Sequence, residues 1–302
     1  MLSTEEWLAE YARSKSNLDA MHDLEIQIFH ETVAIVQRGE YTSPSGKKII
    51  LPDASALVKN SVLYDAPLEL PDSQAQFETK YAVVNRDCLL AGKDLLEAGC
   101  NPVVLNMANR QNPGGDVTGG ARAQEETIFR RSNIFLSLYQ FAHYAGEYGL
   151  ELRSEQYPMD RNYGGAYSPN VIVFRGVRDE GYPLLDEPYA LSFVSVAALC
   201  RPRLTASGHF SEGAAKEARA RMETIFRIAL HHDHDAIVLG AWGCGAFHNP
   251  PDDVARLFHE VLESEDFKGR FKKVVFAVLD DHNSYKSHNS EGNFIPFQRE
   301  FA

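Results

Sequence analysis

Pro102-Val-Val-Leu105 runs into Asn106-Met-Ala-Asn-Arg-Gln-Asn-Pro-Gly-Gly-Asp-Val-Thr-Gly-Gly-Ala-Arg-Ala-Gln-Glu-Glu126, a passage from strand to helix around which the chain is organised. A short apolar run ends, Gly114, Gly115, Gly119 and Gly120 follow, and a helical pattern begins at Gln124. Glycine admits positive φ and close backbone approach. A strand, a glycine turn and a helix N-terminus together predict a cradle for an anion such as diphosphate. Glu125 and Glu126 sit on the first turn of that helix, so an acid stands at the lip of the expected cradle. The combination points to chemistry on a nucleotide sugar.

Outward from this stretch the chain alternates strand and helix. Tyr81-Val84, Pro102-Leu105, Val171-Phe174, Leu191-Ala197, Ala236-Leu239 and Lys273-Leu279 read as strands. Asp87-Ala98, Gln124-Ala145, Gly213-His231 and Asp253-Leu262 read as helices. Near-continuous Val/Ile/Leu runs between helices predict an α/β fold with a mostly parallel sheet covered on both faces. Ligands of such sheets bind at the carboxyl ends of strands, where both glycine-rich loops emerge.

Residues 1–75 read differently, as an N-terminal helical extension and connector ahead of a domain over 76–302. Ser3 and Glu6 fit a capping box, with Trp7, Leu8 and Tyr11 on one helical face. A second helix is predicted over Ala20-Val36, with Leu24, Ile28 and Val33 inward. Gln37-Thr79 is broken by Pro and Gly and predicts an irregular connector.

The composition narrows the function. With 302 residues and 44% hydrophobic content the chain can bury a full core. Lys+Arg 30 against Asp+Glu 42 gives a net charge of -12, which argues against a protein that coats a nucleic-acid duplex with cations. Cys88, Cys100, Cys200 and Cys244 lie far apart with no C-x-x-C pair, predicting four buried thiols in a reducing compartment. The acidic start lacks a signal-peptide pattern. The apolar run Pro188-Cys200 is too short to span a bilayer. A cytoplasmic protein with no membrane association is expected.

The second loop, Gly240-Ala-Trp-Gly-Cys-Gly-Ala-Phe-His-Asn-Pro-Pro251, places three glycines within six residues and predicts backbone contact with phosphate. Asn249 reads as an N-cap with Pro250 at N1. Neither loop is a dinucleotide-binding G-x-G-x-x-G or a Walker A, and no G-x-S-x-G occurs. Glu125 and Glu126 also suit a helix N-terminus, and Glu126 with Arg130 fits an i,i+4 pair. His231-His-Asp-His234 reads as a solvated helix end, since a metal site needs partners elsewhere. Neither cofactor nor metal is predicted.

These two loops resemble the bacterial-type poly(ADP-ribose) glycohydrolases, a macrodomain family whose signature is three glycines, a spacer and Gln-Glu-Glu. Here the signature reads Gly114-Gly-Asp116, seven residues, then Gln124-Glu-Glu126. Tyr167-Arg175, Val238-Pro250 and the last strand, Val274-Val278, add similarity, so the likeness covers roughly residues 80–280. The resemblance implies a three-layer α/β/α macrodomain with a mixed, mostly parallel sheet. It implies hydrolysis of ribose–ribose O-glycosidic bonds at poly(ADP-ribose) chain ends on modified proteins, releasing ADP-ribose. By the same match Glu126 is the catalytic acid/base, and Glu125 and Asn109 hold the distal ribose. Gly114, Gly115, Asp116, Gly119, Gly120 and Gln124 belong to the substrate loop. Gly243, Cys244, Gly245 and Ala246 line the diphosphate, Phe247 packs on the ribose, and Asp87 meets the adenine.

Asp116 departs from the signature's third glycine. A carboxylate ~4 Å from a phosphate costs roughly 4 kcal/mol at an effective dielectric of 20. Asp116 therefore points away, bonds ribose hydroxyls, or marks a different substrate. The alternatives to the glycohydrolase are a hydrolase of another ADP-ribose linkage, mono-ADP-ribosyl or O-acyl, and an ADP-ribose reader with little turnover.

Overall fold

The computed structural model describes residues 2–72 and 75–301. Helix α1 (Thr4–Arg13) begins with the expected capping box, Glu6 N–H on Ser3 Oγ at 3.2 Å and Ser3 N–H on Glu6 Oε2 at 2.8 Å. Helix α2 (Leu18–Arg38) is capped by Asn17 and stopped by Gly39 at φ +75°. It outruns the predicted span at both ends. Leu24 and Ile28 point inward as expected, but Val33 is only half-buried. Thr32 and Ile35 are buried in its place. The connector is more regular than its Pro/Gly punctuation suggests. It holds the hairpin β1 (Glu40–Thr42) and β2 (Lys48–Ile50), helix α3 (Ser55–Asn60) and strand β3 (Val62–Tyr64).

The main sheet comprises β3, β4 (Lys80–Val84), β5 (Pro102–Met107), β6 (Gly165–Arg175), β7 (Leu184–Val196), β8 (Ala236–Leu239) and β9 (Lys273–Ala277), in the order β3-β6-β7-β5-β8-β9-β4. It is the mixed, mostly parallel sheet with flanking helices that the alternating pattern predicts. The pairs β5–β7, β5–β8, β8–β9 and β4–β9 are parallel.

The chain divides into two compact units, each built from separated segments. One contains Met1–Val62, Gln111–Pro158 and Ser168–Leu191; the other contains Leu63–Arg110, Met159–Tyr167 and Ser192–Ala302. In the first, the helix predicted over Gln124-Ala145 is broken. Helix α5 (Gln124–Arg131) stops where Ser132 turns extended at φ -148°, and a short α6 (Phe135–Leu138) follows. The break comes from hydrogen bonding that competes with the helix. Ser132 Oγ donates back to the Ile128 carbonyl at 2.8 Å, while Asn133 Oδ1 takes the Ile172 N–H of β6 at 2.8 Å.

The second unit carries the largest core. Helix α4 (Cys88–Glu97), α7 (Glu212–His231), α8 (Pro251–Leu262) and α9 (Phe294–Phe301) belong to it. Ala218, Met222 and Ile225 of α7 and Val254, Phe258 and Val261 of α8 bury against strand residues such as Val103, Ile237 and Val274. Sequence reading did not anticipate α9, whose Phe297 is fully buried, a contribution of about 2 kcal/mol.

Two further expectations change. In the His231-His-Asp-His234 turn, His231 and Asp233 are exposed as expected, but His232 and His234 are packed rather than solvated. His232 stacks on Tyr167 with centroids 3.5 Å apart and its Nε2 meets Tyr64 OH at 2.9 Å; His234 is buried with its Nε2 2.9 Å from Tyr167 OH. Among the described residues no His/Cys/Asp/Glu cluster could hold a metal ion. The cysteines are not uniformly buried either: Cys200 is exposed at the end of the segment after β7. No described helix is long and apolar enough to cross a membrane.

Candidate active site

In the first unit the glycine loop closes on the two carboxylates. Gly114 N–H donates to Glu125 Oε1 and Asp116 N–H donates to Glu126 Oε1, each at 3.1 Å. The other amides turn inward as well: Gly115 to Asn112 O, Val117 to Gly114 O, Gly119 to Asp116 O and Gly120 to Val117 O. The expected anion cradle is therefore corrected. The amides of Gly114, Gly115, Asp116, Val117, Gly119 and Gly120 go to Glu125, Glu126 and the loop's own carbonyls, which holds the two carboxyls in place.

The glycines are required by that grip. Gly115 sits at φ +60°, and a Cβ there would overlap Glu126 Oε1 and lie 3.3 Å from Glu125 Oε2. A Cβ on Gly114, at φ +82°, would stand 2.7 Å from the Phe129 ring. Neighbouring helical side chains diverge by about 100° at their origin, yet both carboxyls bend to one turn rather than oppose each other across a gap. Glu125 and Glu126 are 2% and 6% exposed, and Glu126 Oε2 is buried without a protein partner. Such an atom carries a desolvation cost until something hydrogen-bonds it. Gln124 opens α5, whose N-cap, Ala123, offers no side-chain bond.

Glu126 does not form the expected i,i+4 pair. Arg130 instead pairs with Glu25 of α2 at 3.2 Å, both side chains fully buried. On the Glu125 side lie Tyr139, Tyr144 and Tyr157. Burial is the main cause that pushes all three phenols up, with neighbouring tyrosines and Glu125 adding to it. They stay protonated across the physiological range.

Asp116 takes φ -116°, so this position asks for no left-handed backbone. Its exposed side chain folds back over Gly119, where an added Cβ would collide with the carboxylate.

In the second unit, β4, β5, β8 and β9 run parallel, and Asp87, Asn109 and the Gly240 loop follow the carboxyl ends of β4, β5 and β8. Asp87 is the N-cap of α4, its Oδ1 accepting from Leu89 N–H at 3.1 Å and Leu90 N–H at 3.2 Å. Asn109 is half-buried. Beside it in β5, Asn106 is fully buried and donates to Ser195 Oγ at 3.0 Å, a bond between strands that sequence reading overlooked.

The Gly240 loop is held from below. Trp242 Nε1 donates to Val196 O at 3.0 Å, and Asn249 Nδ2 donates to Leu199 O at 2.6 Å and Gly243 O at 3.0 Å. Asn249 is thus a loop brace and not the predicted N-cap. Pro250 takes the cap position and Pro251 opens α8. Gly243 needs its φ of +75°, and a Cβ there would press on Ala198 and Asn249.

Cys244 faces inward. Its N–H donates to Ala241 O at 3.1 Å, its side chain is fully buried, and burial pushes the thiol far up, which rules it out as a nucleophile. Among the described residues, the amides of Gly243, Gly245, Ala246 and Phe247 donate to no protein acceptor, and Ala246 is exposed. This is the arrangement that takes an anion through backbone N–H groups. His248 flanks it at φ +61°, its ring stacked on His288 with centroids 4.3 Å apart. His288 Nε2 bonds Cys244 O at 2.8 Å. Phe247 is half-buried against the unit's core.

The microbial-type PARG catalytic domain matches residues 30–176. The poly(ADP-ribose) glycohydrolase of Thermomonospora curvata bound to the inhibitor ADP-HPD is 33% identical, with a TM-score of 0.72 over 92% of this chain and 99% of that one. The poly(ADP-ribose) glycohydrolase of Deinococcus radiodurans in complex with ADP-ribose is 28% identical, with a TM-score of 0.62 over 83% of this chain and 98% of that one. No curated protein matches. At that identity and coverage, with the Gln124-Glu-Glu126 turn intact, the chain belongs to the microbial-type poly(ADP-ribose) glycohydrolases.

Proposed function

We infer that this chain hydrolyses the ribose–ribose O-glycosidic bond at poly(ADP-ribose) chain ends on modified proteins and releases ADP-ribose, with Glu126 as general acid and base. The carrying observation is Glu126 itself: one carboxyl oxygen is pinned by Asp116 N–H and the other is buried and unpartnered. A carboxyl held in one orientation with one free oxygen suits proton transfer to a leaving oxygen at fixed geometry.

In the reaction, protonated Glu126 donates to the departing ribose oxygen while the anomeric carbon gains oxocarbenium character. Glu126 then takes a proton from the water that attacks this carbon. Glu125, fixed by Gly114 N–H, holds the distal ribose hydroxyls together with Asn109. The free amides of Gly243, Gly245, Ala246 and Phe247 take the diphosphate, Phe247 packs against the ribose, and Asp87 serves the adenine. Cys244 acts through the loop shape it fixes. The exposed thiol of Cys200 fits a reducing, cytoplasmic setting. The test is release of ADP-ribose from end-labelled polymer by the wild-type protein and its loss in Glu126→Gln.

A further inference from the structure

We propose that helix α2 belongs to the catalytic apparatus, its Glu25 and Thr32 acting through Arg130 as positioning residues for the Glu126 carboxyl. The inference rests on Glu126 being the acid. It assigns a role in the reaction to a segment that the sequence presents as an extension.

Arg130 lies one turn beyond Glu126 on α5 and is completely buried. Its Nε donates to the Glu25 carbonyl at 2.9 Å and lies 3.2 Å from Glu25 Oε2, and its Nη2 reaches Val117 O at 3.5 Å. Val117 follows Asp116, whose N–H holds Glu126 Oε1. One guanidinium therefore joins α2, the glycine loop and α5. Tyr182 OH donates to Glu25 Oε2 at 2.8 Å and fixes the carboxylate from a third direction. Near the C-terminal end of α5, Thr32 Oγ1 donates to the Arg130 carbonyl at 2.6 Å, filling one of the acceptors a helix end leaves open. At the far end of the loop, Gly120 lies flat against α2, where an added Cβ would stand 2.7 Å from His22 O.

His22, Glu25 and Thr32 fall within about an 80° arc of one helix face, from 3.6 residues per turn. That face is the surface on which the acid-bearing loop and helix are set.

Stability alone does not account for this network. Burying two charges costs several kcal/mol per ion, and well-packed apolar residues of the same volume stabilise at least as well. Arg130 Nη1 and Glu25 Oε1 are left buried without partners, which raises the cost further. What the network supplies that an apolar contact would not is direction. It fixes both translation and rotation of α5 against the Val117 turn, and so the distance between Asp116 N–H and Glu126.

The test uses the full chain, with poly(ADP-ribose) turnover, binding of free ADP-ribose by calorimetry, and thermal melting to confirm folding. Thr32→Val removes the hydroxyl at constant shape, Thr32→Ser keeps it, and Glu25→Gln removes the charge with little change in volume. Thr32→Val and Glu25→Gln should lower kcat about 10- to 100-fold, as expected for small misplacements of a reacting group. KM and ADP-ribose affinity should stay within about twofold, and Thr32→Ser should restore kcat. The inference is overturned if both variants turn over like wild type while Glu126→Gln is dead. It is also overturned if kcat and binding fall together in proportion to the folded fraction. Turnover by Glu126→Gln would instead remove the acid itself, and the reading of the site with it.

Discussion

Asp116 donates its backbone N–H to Glu126 Oε1 at 3.1 Å from the position where the family signature carries a third glycine. What this position must supply is an amide, and any residue but proline has one. With φ at -116° and the side chain folded over Gly119, Asp116 meets that need without backbone strain. The carboxylate folds into its own loop, over Gly119. Asp116→Gly should therefore leave kcat for poly(ADP-ribose) within about threefold of wild type, a tenfold gain being roughly 1.4 kcal/mol of relieved repulsion. A gain of tenfold or more in steady-state turnover would show that the charge does oppose the substrate.

Gly115 is the position that tolerates no side chain. Alanine there meets Glu126 Oε1 and inherits φ +60°. Gly115→Ala should lower kcat about 100-fold by displacing the acid, and single-turnover kinetics would check it. Gly119→Ala should be milder and coupled to Asp116, whose exposed carboxylate supplies the atoms nearest to the added Cβ. A double-mutant cycle with Asp116→Gly should return a coupling of about 0.5–3 kcal/mol. Additive effects would place the carboxylate elsewhere.

Asn249 braces the Gly240 loop through two donated bonds from a buried amide. Asn249→Asp removes the donor and sets an anion against two carbonyls. The expected loss is about 3 kcal/mol, a fall in Tm of about 6–12 °C. ADP-ribose affinity should weaken along with it, because the free amides of this loop depend on its shape. Calorimetric melting and titration would show whether the two effects travel together.

His232 gives the fold an acid-sensitive point. Burial, then His231 and His234, pushes its imidazolium down from an ordinary 6.5 to about 4. The unfolded chain therefore binds a proton between these values that the folded chain refuses, so stability declines as pH falls from 6.5 towards 4. His234, lowered chiefly by burial, acts in the same direction. His232→Gln, which cannot titrate, should show a smaller drop in Tm between pH 7 and pH 5 than wild type. An equal drop would assign the acid sensitivity to other groups.

The strand-helix alternation was legible because the central parallel strands β5 and β8 are buried on both faces and leave unbroken apolar runs. The site loops were legible because glycines cluster where backbone must approach something closely. What each loop approaches was not legible. Nothing near Gly114 announces that its amide serves Glu125, since an identical turn in sequence could face a phosphate. The break at Ser132 depends on Asn133 meeting Ile172, 39 positions away, and helical periodicity continues through it undisturbed. Asn249 before two prolines has the local signature of a cap, yet Leu199, 50 positions away, claims its amide. The pair Glu25–Arg130 spans 105 positions and joins residues that each look like ordinary polar members of a helix. Local pattern located the acids, and long-range polar contacts decide how they are held.

Whether Glu126 carries the proton in glycosidic cleavage is decided by product analysis on end-labelled poly(ADP-ribose), run beside calorimetry with ADP-ribose on the same proteins. Wild type should release free ADP-ribose, while Glu126→Gln should bind ADP-ribose with similar affinity and lose at least about 100-fold in turnover. Equal turnover by Glu126→Gln, or intact polymer with both proteins despite normal ADP-ribose binding, would contradict it.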